Sequence, residues 1–333
     1  MFLIADGNNM AWAGFHALRK AMGSETPEAK VRAALLGLTQ SVLGFAARSG
    51  EPPIPGRPEG TVRLGTRPVT RVAVAFDEGR PLRRRSIYPG YQMGRESTPA
   101  FADNERFVLE AIDQFIEMAR MLPIEIARGT NTEADDLAAV MVLESEDEVR
   151  IGSTDRDFLQ LVDERVSIYS PVKRIVVSAE NFAEQASPRM ADGTPVTFPR
   201  ERYLEYRVAS GDASDDLPGI PGVGAVTAAR LLAKAPLDAY FDKPSLANDA
   251  LGRRNVKLEA ALRDEATLEI VARNRLLMDL RLAARRYDSL DGYVTRGAWD
   301  EAGFRAWAAD QRIAALDIDS VVRAMTAVAE AGG

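Results

Sequence analysis

Short apolar runs alternate with amphipathic segments along the first 180 residues of the chain. The apolar runs predict β-strands at positions 1–5, 71–76, 124–127, 150–152, 166–169 and 174–177. Apolar residues at helical spacing predict helices over 8–19, 31–48, 104–121 and 132–144. This alternation is typical of an α/β fold in which helices flank a parallel sheet.

The pattern becomes helical in the last third of the chain. A linker is predicted at 187–199, followed by helices over 200–210, 226–234, 256–263 and 267–280, with two more near the end. We therefore expect an α/β domain over residues 1–186 and a helical region over 187–333. Residues 49–68 contain five prolines and four glycines, which predicts a loop.

Composition narrows the chemistry that the chain can perform. The 333 residues are 46% hydrophobic and 27% charged, as in globular proteins. The chain has no cysteine and one histidine, His16, which excludes disulfides, thiolate metal sites and multi-histidine metal sites. The first apolar stretch stops at Ala5 without a basic flank, and no run reaches the length of a membrane span. A cytoplasmic protein with no membrane partner is expected.

Carboxylates follow the predicted strands. Four aspartates come directly after the end of an apolar run or close to it: Asp6, Asp77, Asp155 and Asp157. Because the carboxyl ends of parallel strands face one crevice, these side chains should converge there. Such convergence is costly unless cations neutralise it, and all-oxygen ligands suit Mg²⁺ or Mn²⁺. Taken singly, each aspartate is better explained as a turn or helix-cap residue than as a ligand.

Two further acidic clusters come later in the chain. Glu133, Asp135 and Asp136 open a predicted helix, where they are either ligands or ordinary dipole-complementing residues. Asp212 and Asp215 precede the string LPGIPGVG, which leads into a helix. With Gly222 and Gly224, that string is either a phosphate-binding hairpin or a plain tight turn.

Five strings of the sequence resemble the 5′-nuclease superfamily of 5′→3′ exonucleases and flap endonucleases. They are IADGNNMAWAGFHAL, VAFDEGRPLRRRSIYPGYQMGRESTP, TEADD, STDRDFLQLV and GDASDDLPGIPGVGAVTAARLL, in the order and spacing of the family. The resemblance implies a metal-binding acid pocket, and all of its positions are acidic here: Asp6, Asp77, Glu133, Asp135, Asp136, Asp155, Asp157, Asp212 and Asp215.

The resemblance also implies parts that handle DNA. It places a helical arch at about residues 80–105 and a helix–three-turn–helix element, similar to a helix-hairpin-helix, at about 200–235. Arg84 and Arg95 match basic residues of the arch that assist catalysis, and Tyr91 matches an aromatic residue that stacks on the terminal nucleotide. The residues expected to contact DNA are Arg83, Arg84, Arg85, Tyr91, Gln92, Arg95, Gly222 and Gly224. The arginine run taken without the resemblance is equally consistent with a solvated charged surface.

Three positions depart from the family pattern. Gln92, Ala13 and Val226 stand where the family usually has a basic residue. Loss of a cation beside phosphate would weaken transition-state stabilisation unless another group replaces it. A catalytically weakened branched-DNA binding protein is therefore the alternative to an active nuclease.

The expected activity is that of a structure-specific 5′→3′ exonuclease and flap endonuclease in replication or repair. It would act as a monomer on DNA with 5′ ends or flaps, and on RNA primers in RNA–DNA hybrids. Two or more Mg²⁺ or Mn²⁺ ions would serve catalysis, and a K⁺ ion would sit in the hairpin. A small-ribonuclease relative is disfavoured because such domains lack the GDASDDLPGIPGVG hairpin.

Overall fold

A computed structural model describes residues 1–20, 23, 25–49, 67–313 and 315–332 of the protein. The side chains of Arg95 and Ala100 fall outside this description. Most of the predicted loop at 49–68 also lies outside the described residues.

One sheet forms the centre of the α/β part. The strands of the described residues are β1 (Phe2–Asp6), β2 (Arg71–Ala75), β3 (Glu125–Ala127), β4 (Val149–Gly152), β5 (Val166–Ser170), β6 (Ile175–Val177), β7 (Gly211–Asp212), β8 (Leu217–Pro218) and β9 (Val294–Arg296). The large sheet has the order β6-β5-β4-β1-β2-β3-β9, and β7 pairs with β8 in a separate two-stranded ribbon. The five inner strands run parallel, whereas β6 and β9 pair antiparallel at the two edges.

Helices cover both faces of this sheet. Those of the described residues are α1 (Gly7–Arg19), α2 (Pro27–Ser49), α3 (Leu82–Ile87), α4 (Met93–Glu96), α5 (Pro99–Ala102), α6 (Glu105–Ala119), α7 (Ala134–Glu144), α8 (Phe182–Gln185), α9 (Tyr203–Ser210), α10 (Ala225–Lys234), α11 (Asp238–Asp242), α12 (Leu246–Leu251), α13 (Val256–Ala261), α14 (Glu265–Met278), α15 (Leu280–Ala284), α16 (Glu301–Asp310) and α17 (Ile318–Ala331). Short 3₁₀ segments lie at Asp157–Leu161 and Arg200–Arg202.

The central strands are apolar because both faces of the sheet are covered. In β1, Phe2 and Ile4 join the core beneath α7, whereas Leu3 and Ala5 join the core beneath α1, α2 and α6. This alternation follows from the two-residue period of a strand. Burial of each large side chain stabilises the fold by about 2 kcal/mol.

The fold class predicted from sequence is confirmed: a mostly parallel sheet flanked by helices, with a helical carboxy-terminal region. The arch segment at about 80–105 consists of the three short helices α3, α4 and α5. Within the described residues, none of the helices combines the length and the apolar character that a membrane span needs.

The end of the chain returns to the α/β part. β9 pairs with β3, with Ile126 opposite Thr295, and α17 packs against α2. The predicted division at residue 186/187 therefore separates segments that share one sheet. The sequence pattern does not predict the pairing of β9 with β3, because an edge strand of three residues is too short to show a detectable periodicity.

Candidate active site

Two of the strand-end aspartates also act as helix caps. Asp6 ends β1, and its carboxylate accepts hydrogen bonds from the Asn9 backbone N–H (3.0 Å) and the Ser153 hydroxyl (2.7 Å). Asp77 follows β2 and accepts a hydrogen bond from the backbone N–H of Ala134, the first residue of α7 (2.8 Å). Capping and convergence on one site are therefore not alternatives here, because the same carboxylates do both.

Two asparagines tie the strand ends together. The Asn8 side chain accepts a hydrogen bond from the Asp77 backbone N–H (2.9 Å). The Asn9 side chain accepts hydrogen bonds from the Thr154 backbone N–H (3.0 Å) and hydroxyl (2.8 Å). These two asparagines were not predicted from the sequence. Their position near Asp6 and the tendency of asparagine side chains to bind backbone groups could have indicated their role.

A cavity of about 560 Å³ opens at the carboxyl ends of the parallel strands. Six of the nine predicted acids line it: Asp6, Asp77, Glu133, Asp135, Asp155 and Asp215. They come from the ends of three strands, the start of α7 and the loop after β7. The position matches the rule that open α/β sheets bind ligands beyond the carboxyl ends of their strands.

A second acidic group lies beside this cavity. Asp157, Asp212 and Asp215 each offer a carboxylate oxygen within 4.8 Å of the others. The Arg207 guanidinium reaches into the group: its Nε donates to Asp157 at 2.9 Å, and it forms an ion pair with Asp212. Sequence reasoning missed Arg207 because a single arginine in a helix carries no distinguishing signal.

Burial and mutual repulsion disfavour the charged form of these carboxyls. Burial is the main cause that raises the pKa of Asp6 and Glu133 to about 7, that of Asp157 to about 8 and that of Asp215 to about 6. Burial, and then the charges of Asp155, Asp6, Asp77 and Glu133, raise the pKa of Asp135 well above its ordinary value.

The ninth predicted acid is directed elsewhere. Asp136 is buried and forms ion pairs with Arg84 (2.8 Å) and Arg286 (3.4 Å) instead of lining the cavity. Arg84, predicted to contact DNA, is itself buried. It pairs with Glu133 as well, and its Nε donates to the Leu277 backbone carbonyl (3.0 Å).

Tyr91 is also buried. Its phenol donates towards Glu133 (3.3 Å) and Asp215 (3.2 Å). Gln92, in a left-handed backbone conformation (φ 56°), donates to Asp215 at 2.9 Å. The Tyr91 phenol therefore contacts two acids of the pocket, and its ring is buried rather than open to a base.

The remaining arch residues differ in exposure. Arg83 is exposed, whereas Arg85 pairs with Glu96 at 2.6 Å. Arg80 lines the cavity and pairs with Glu96 and Glu105. The side chain of Arg95 lies outside the described residues.

The predicted hairpin joins α9 to α10. Gly222 adopts φ +80°, a backbone conformation that favours glycine. A Cβ at Gly222 or at Gly224 would meet nothing within 4 Å, so both glycines face open space. Gly224 precedes α10 and offers no side chain to cap its first backbone N–H groups, which leaves them available to an anion.

The residues of the cavity fit divalent metal ions. Its acidic side chains supply only oxygen ligands from several backbone segments, which is the donor set that hard divalent cations prefer. Buried like charges at this density also need cationic neutralisation. The acids are thus positioned to bind metal ions.

Comparison with known proteins agrees with these observations. The family model of the 5′-3′ exonuclease, N-terminal resolvase-like domain, matches residues 1–187. DNA polymerase I of Mycobacterium tuberculosis is 34% identical over 281 residues, 84% of this chain. The chain spans only 27% of the length of that polymerase.

Two solved structures share the fold. Bacteriophage T5 D15 flap endonuclease, in a complex with DNA and metal ions, has a TM-score of 0.60 at 18% identity, with 99% of each chain covered. Human GEN1, in complex with Holliday junction DNA, has a TM-score of 0.55 at 13% identity, covering 98% of this chain and 71% of its own. The resemblance found in the five sequence strings is confirmed: with a match over more than half of its length, this chain belongs to the 5′-3′ exonuclease family.

Proposed function

We propose that this protein is a structure-specific 5′→3′ exonuclease and flap endonuclease that hydrolyses phosphodiester bonds of DNA in replication or repair. The observation that carries the proposal is the cavity in which Asp6, Asp77, Glu133, Asp135, Asp155 and Asp215 converge. The chain's membership of the 5′-3′ exonuclease family gives this cavity its reaction class.

Two groups of carboxylates would hold the ions, for which we propose Mg²⁺ or Mn²⁺, two or more in number. Asp6, Asp77, Asp135 and Asp155 form one group, and Asp157, Asp212 and Asp215 form the other. Bound divalent ions lower the pKa of water and stabilise charge on the leaving oxygen of a phosphodiester. Glu133, held by Arg84 and by the Tyr91 phenol, fixes the start of α7 and thereby positions Asp135.

Residues outside the acid groups would hold DNA. The exposed Arg83 and the open glycines Gly222 and Gly224 offer contacts to backbone phosphates, and a K⁺ ion held by backbone carbonyls would strengthen the hairpin. The relatives' polymerase and flap-nuclease names support DNA with 5′ ends or flaps as the substrate. RNA in RNA–DNA hybrids, a monomeric state and a cytoplasmic location are further parts of the proposal.

One feature favours the alternative, a branched-DNA binding protein with weakened catalysis. Gln92, which stands where a lysine is usual, donates its amide to Asp215 and brings no positive charge to the cavity. Arg80 and Arg128 line the same cavity and supply cations from its rim. Their presence favours the active nuclease.

Cleavage assays separate the two functions. A 5′-labelled flap duplex and a blunt duplex would be incubated with Mg²⁺, Mn²⁺, Ca²⁺ or EDTA. We expect cuts near the flap junction with Mg²⁺ or Mn²⁺ and none with EDTA. Binding without cleavage in both metals would contradict the nuclease proposal and favour the alternative.

The Asp155→Asn variant is the internal control of this assay. Asp155 lines the cavity, and after burial its charge is among the causes that raise the pKa of Asp6 and of Asp135. We expect the variant to bind the flap duplex and to cut it at least about 100-fold more slowly than the wild-type protein. Wild-type turnover by this variant would remove Asp155 from the catalytic centre.

A further inference from the structure

Arginine side chains line the cavity that holds the acids at two positions among the residues that the structure describes, Arg80 and Arg128. Arg80 is held firmly. Its guanidinium donates two hydrogen bonds to Glu105 (2.8 and 3.1 Å) and forms an ion pair with Glu96 (3.2 Å). A bidentate pair of this kind fixes the guanidinium in both position and direction. A phosphate that approached Arg80 would have to displace two carboxylates.

Arg128 is held more loosely. It donates a hydrogen bond from Nη1 to the Asp113 carboxylate (2.9 Å), and its Nε lies 4.0 Å from the Glu78 carboxylate, beyond hydrogen-bond distance. The Asp113 side chain is 63% exposed. An ion pair with an exposed carboxylate contributes only about 0–1 kcal/mol. A phosphate, which a guanidinium binds in the same fork geometry as a carboxylate, can therefore replace Asp113 at little cost.

The backbone that carries Arg128 is fixed by neighbouring segments. The Arg128 N–H donates to the carbonyl of Tyr293, the residue before β9 (2.8 Å), and Gly129 packs so closely on the Tyr293 ring that a Cβ there would clash with it. The Glu78 N–H donates to the Thr132 carbonyl (3.0 Å), which joins this loop to the end of β2. Arg128 therefore has a fixed place on the cavity rim and a side chain that can exchange its partner.

Arg128 lies across the cavity from the predicted hairpin. The sheet order β4-β1-β2-β3 places Arg128, directly after β3, three strands away from Asp155, which follows β4. At the spacing of neighbouring strands this is roughly 14 Å. Asp215, from the loop that leads into the hairpin, lies beside Asp157 on the β4 side. A DNA strand that enters the cavity from the hairpin side therefore leaves it over Arg128.

We propose that Arg128 binds a phosphate of the single-stranded 5′ segment of a flap and thereby determines the preference of the protein for flaps over blunt duplex ends. As the segment passes over the rim, Arg128 exchanges Asp113 for one of its phosphates. A blunt end offers no displaced strand to this rim and makes no such contact. The proposal rests on the proposed function, because it takes the flapped DNA of that function as the substrate.

Cleavage of a flapped and a blunt duplex tests this preference. kcat/KM would be measured with Mg²⁺ on both substrates for the wild-type protein, Arg128→Gln and the matched Arg120→Gln. Arg120 is an exposed arginine at the end of α6 that pairs with Glu117, outside the cavity lining. We expect the flap-to-blunt ratio of kcat/KM to fall at least about fivefold in Arg128→Gln and to stay within about 1.5-fold of wild type in Arg120→Gln.

Removal of the competing carboxylate should have the opposite effect. Asp113→Asn removes the charge that pairs with Arg128, so we expect kcat/KM for the flap to rise about two- to threefold. Glu117→Gln removes an equal charge one turn further along α6, where it pairs with Arg120, and should change kcat/KM by less than about 1.5-fold. In the Arg128→Gln background, Asp113→Asn should give no such rise, because the two residues act through one contact.

The salt dependence of binding reports the phosphate contact without cleavage. Binding of the flap duplex would be followed by fluorescence anisotropy with Mg²⁺ in the Asp155→Asn background, which we expect to cut slowly. Loss of one phosphate contact to a single strand lowers the slope of log Kd against log salt concentration by about 0.7. We expect this decrease in Arg128→Gln and a slope of wild-type size in Arg128→Lys, which keeps the charge.

The outcomes distinguish this inference from the proposed function. Equal falls in kcat/KM for flap and blunt substrates in Arg128→Gln, a salt slope that this substitution leaves unchanged, or a rise in Asp113→Asn that persists without Arg128 would each overturn the inference and leave the nuclease proposal standing. Failure of the wild-type protein to cut either substrate would overturn the nuclease proposal, and the salt slope would still decide whether Arg128 contacts the flap.

Discussion

At the residue scale, burial separates side chains that the sequence presents as equivalent. Arg83 and Arg84 are neighbours in one arginine run, and both were expected to contact DNA. Arg83 is exposed, whereas Arg84 is 4% exposed and pairs with Glu133 and Asp136. Arg84 thus joins α3, which carries it, to α7 and to the end of α14, where it meets the Leu277 carbonyl. These contacts hold Arg84 on Glu133 and Asp136, whereas its contact with DNA stays a prediction.

Substitution of these two arginines should give different results. Arg84→Met leaves Glu133 without its cation and Asp136 with Arg286 alone, and removal of one partner from a buried ion pair costs about 3 kcal/mol. We expect a fall in Tm of several degrees for Arg84→Met and almost none for the matched Arg83→Met, both measured by thermal unfolding followed by circular dichroism. Equal Tm values for the two variants would contradict the buried placement of Arg84.

The acids show how far residue-level prediction extends. The strand-end rule predicts the convergence of Asp6, Asp77 and Asp155, because parallel strands end at one edge of the sheet. It does not apply to Asp135 and Asp136, which are neighbours in the first turn of α7. The directions of these two side chains depend on how α7 is rotated against the sheet. Contacts of α7 with α15 and the ion pair between Arg84 and Asp136 set that rotation, and no local sequence pattern encodes them.

At the element scale, the hairpin between α9 and α10 combines two kinds of glycine. Gly222 needs its left-handed backbone for the turn, whereas Gly224 has φ −88°, which any residue can adopt. Both face open space, so a phosphate could approach the backbone at either position. Two properties of the hairpin can therefore be tested separately: the backbone conformation of the turn at Gly222, and the access of a phosphate to the backbone at Gly224.

Alanine at each glycine should separate these requirements. Gly222→Ala forces a Cβ into the left-handed region, so we expect a loss of about 1 kcal/mol in the free energy of unfolding. Gly224→Ala should leave that free energy unchanged and weaken duplex DNA binding severalfold, because its methyl group stands where a phosphate would approach. Fluorescence anisotropy at fixed salt measures the binding. Unchanged affinity in Gly224→Ala would place the DNA elsewhere.

Long elements were easier to predict than short ones. The strands β1, β2 and β5 and the helices α1, α6 and α10 appear within a few residues of the positions that hydrophobic spacing indicates. β9 is an edge strand of three residues, partly exposed, and it pairs with β3 about 170 positions earlier in the chain. Such a strand is specified by its partner rather than by its own sequence, which is why the return of the chain to the sheet was not predicted.

At the scale of the whole molecule, we expect the acid pocket to make the stability of the fold depend on pH and on bound metal. The carboxyls of Asp6, Glu133 and Asp157 hold their protons to about pH 7–8 in the folded protein, whereas their ordinary pKa values are 3.8 to 4.5. Between these limits the folded state binds more protons than the unfolded state. Its stability therefore falls as the pH rises through the folded-state pKa values. The lowered pKa of His16 has the opposite sign, but its effect is complete above about pH 6.5.

Metal ions should remove this pH dependence, because they bind the deprotonated carboxylates and only the folded protein brings those together. In EDTA we expect Tm to fall between about pH 6.5 and pH 8.5. Over the same interval, we expect the increase in Tm caused by Mn²⁺ to become larger by at least about 5 °C. Thermal unfolding by circular dichroism, with NaCl at equal ionic strength in place of Mn²⁺, measures both effects. The growth of the Mn²⁺ effect with pH should be smaller in Asp155→Asn, because this variant lacks one carboxylate of the group formed by Asp6, Asp77, Asp135 and Asp155. An Mn²⁺ effect of the same size at both ends of the interval would mean that the stabilising ions bind outside the buried carboxylates, because exposed acids are already deprotonated throughout it.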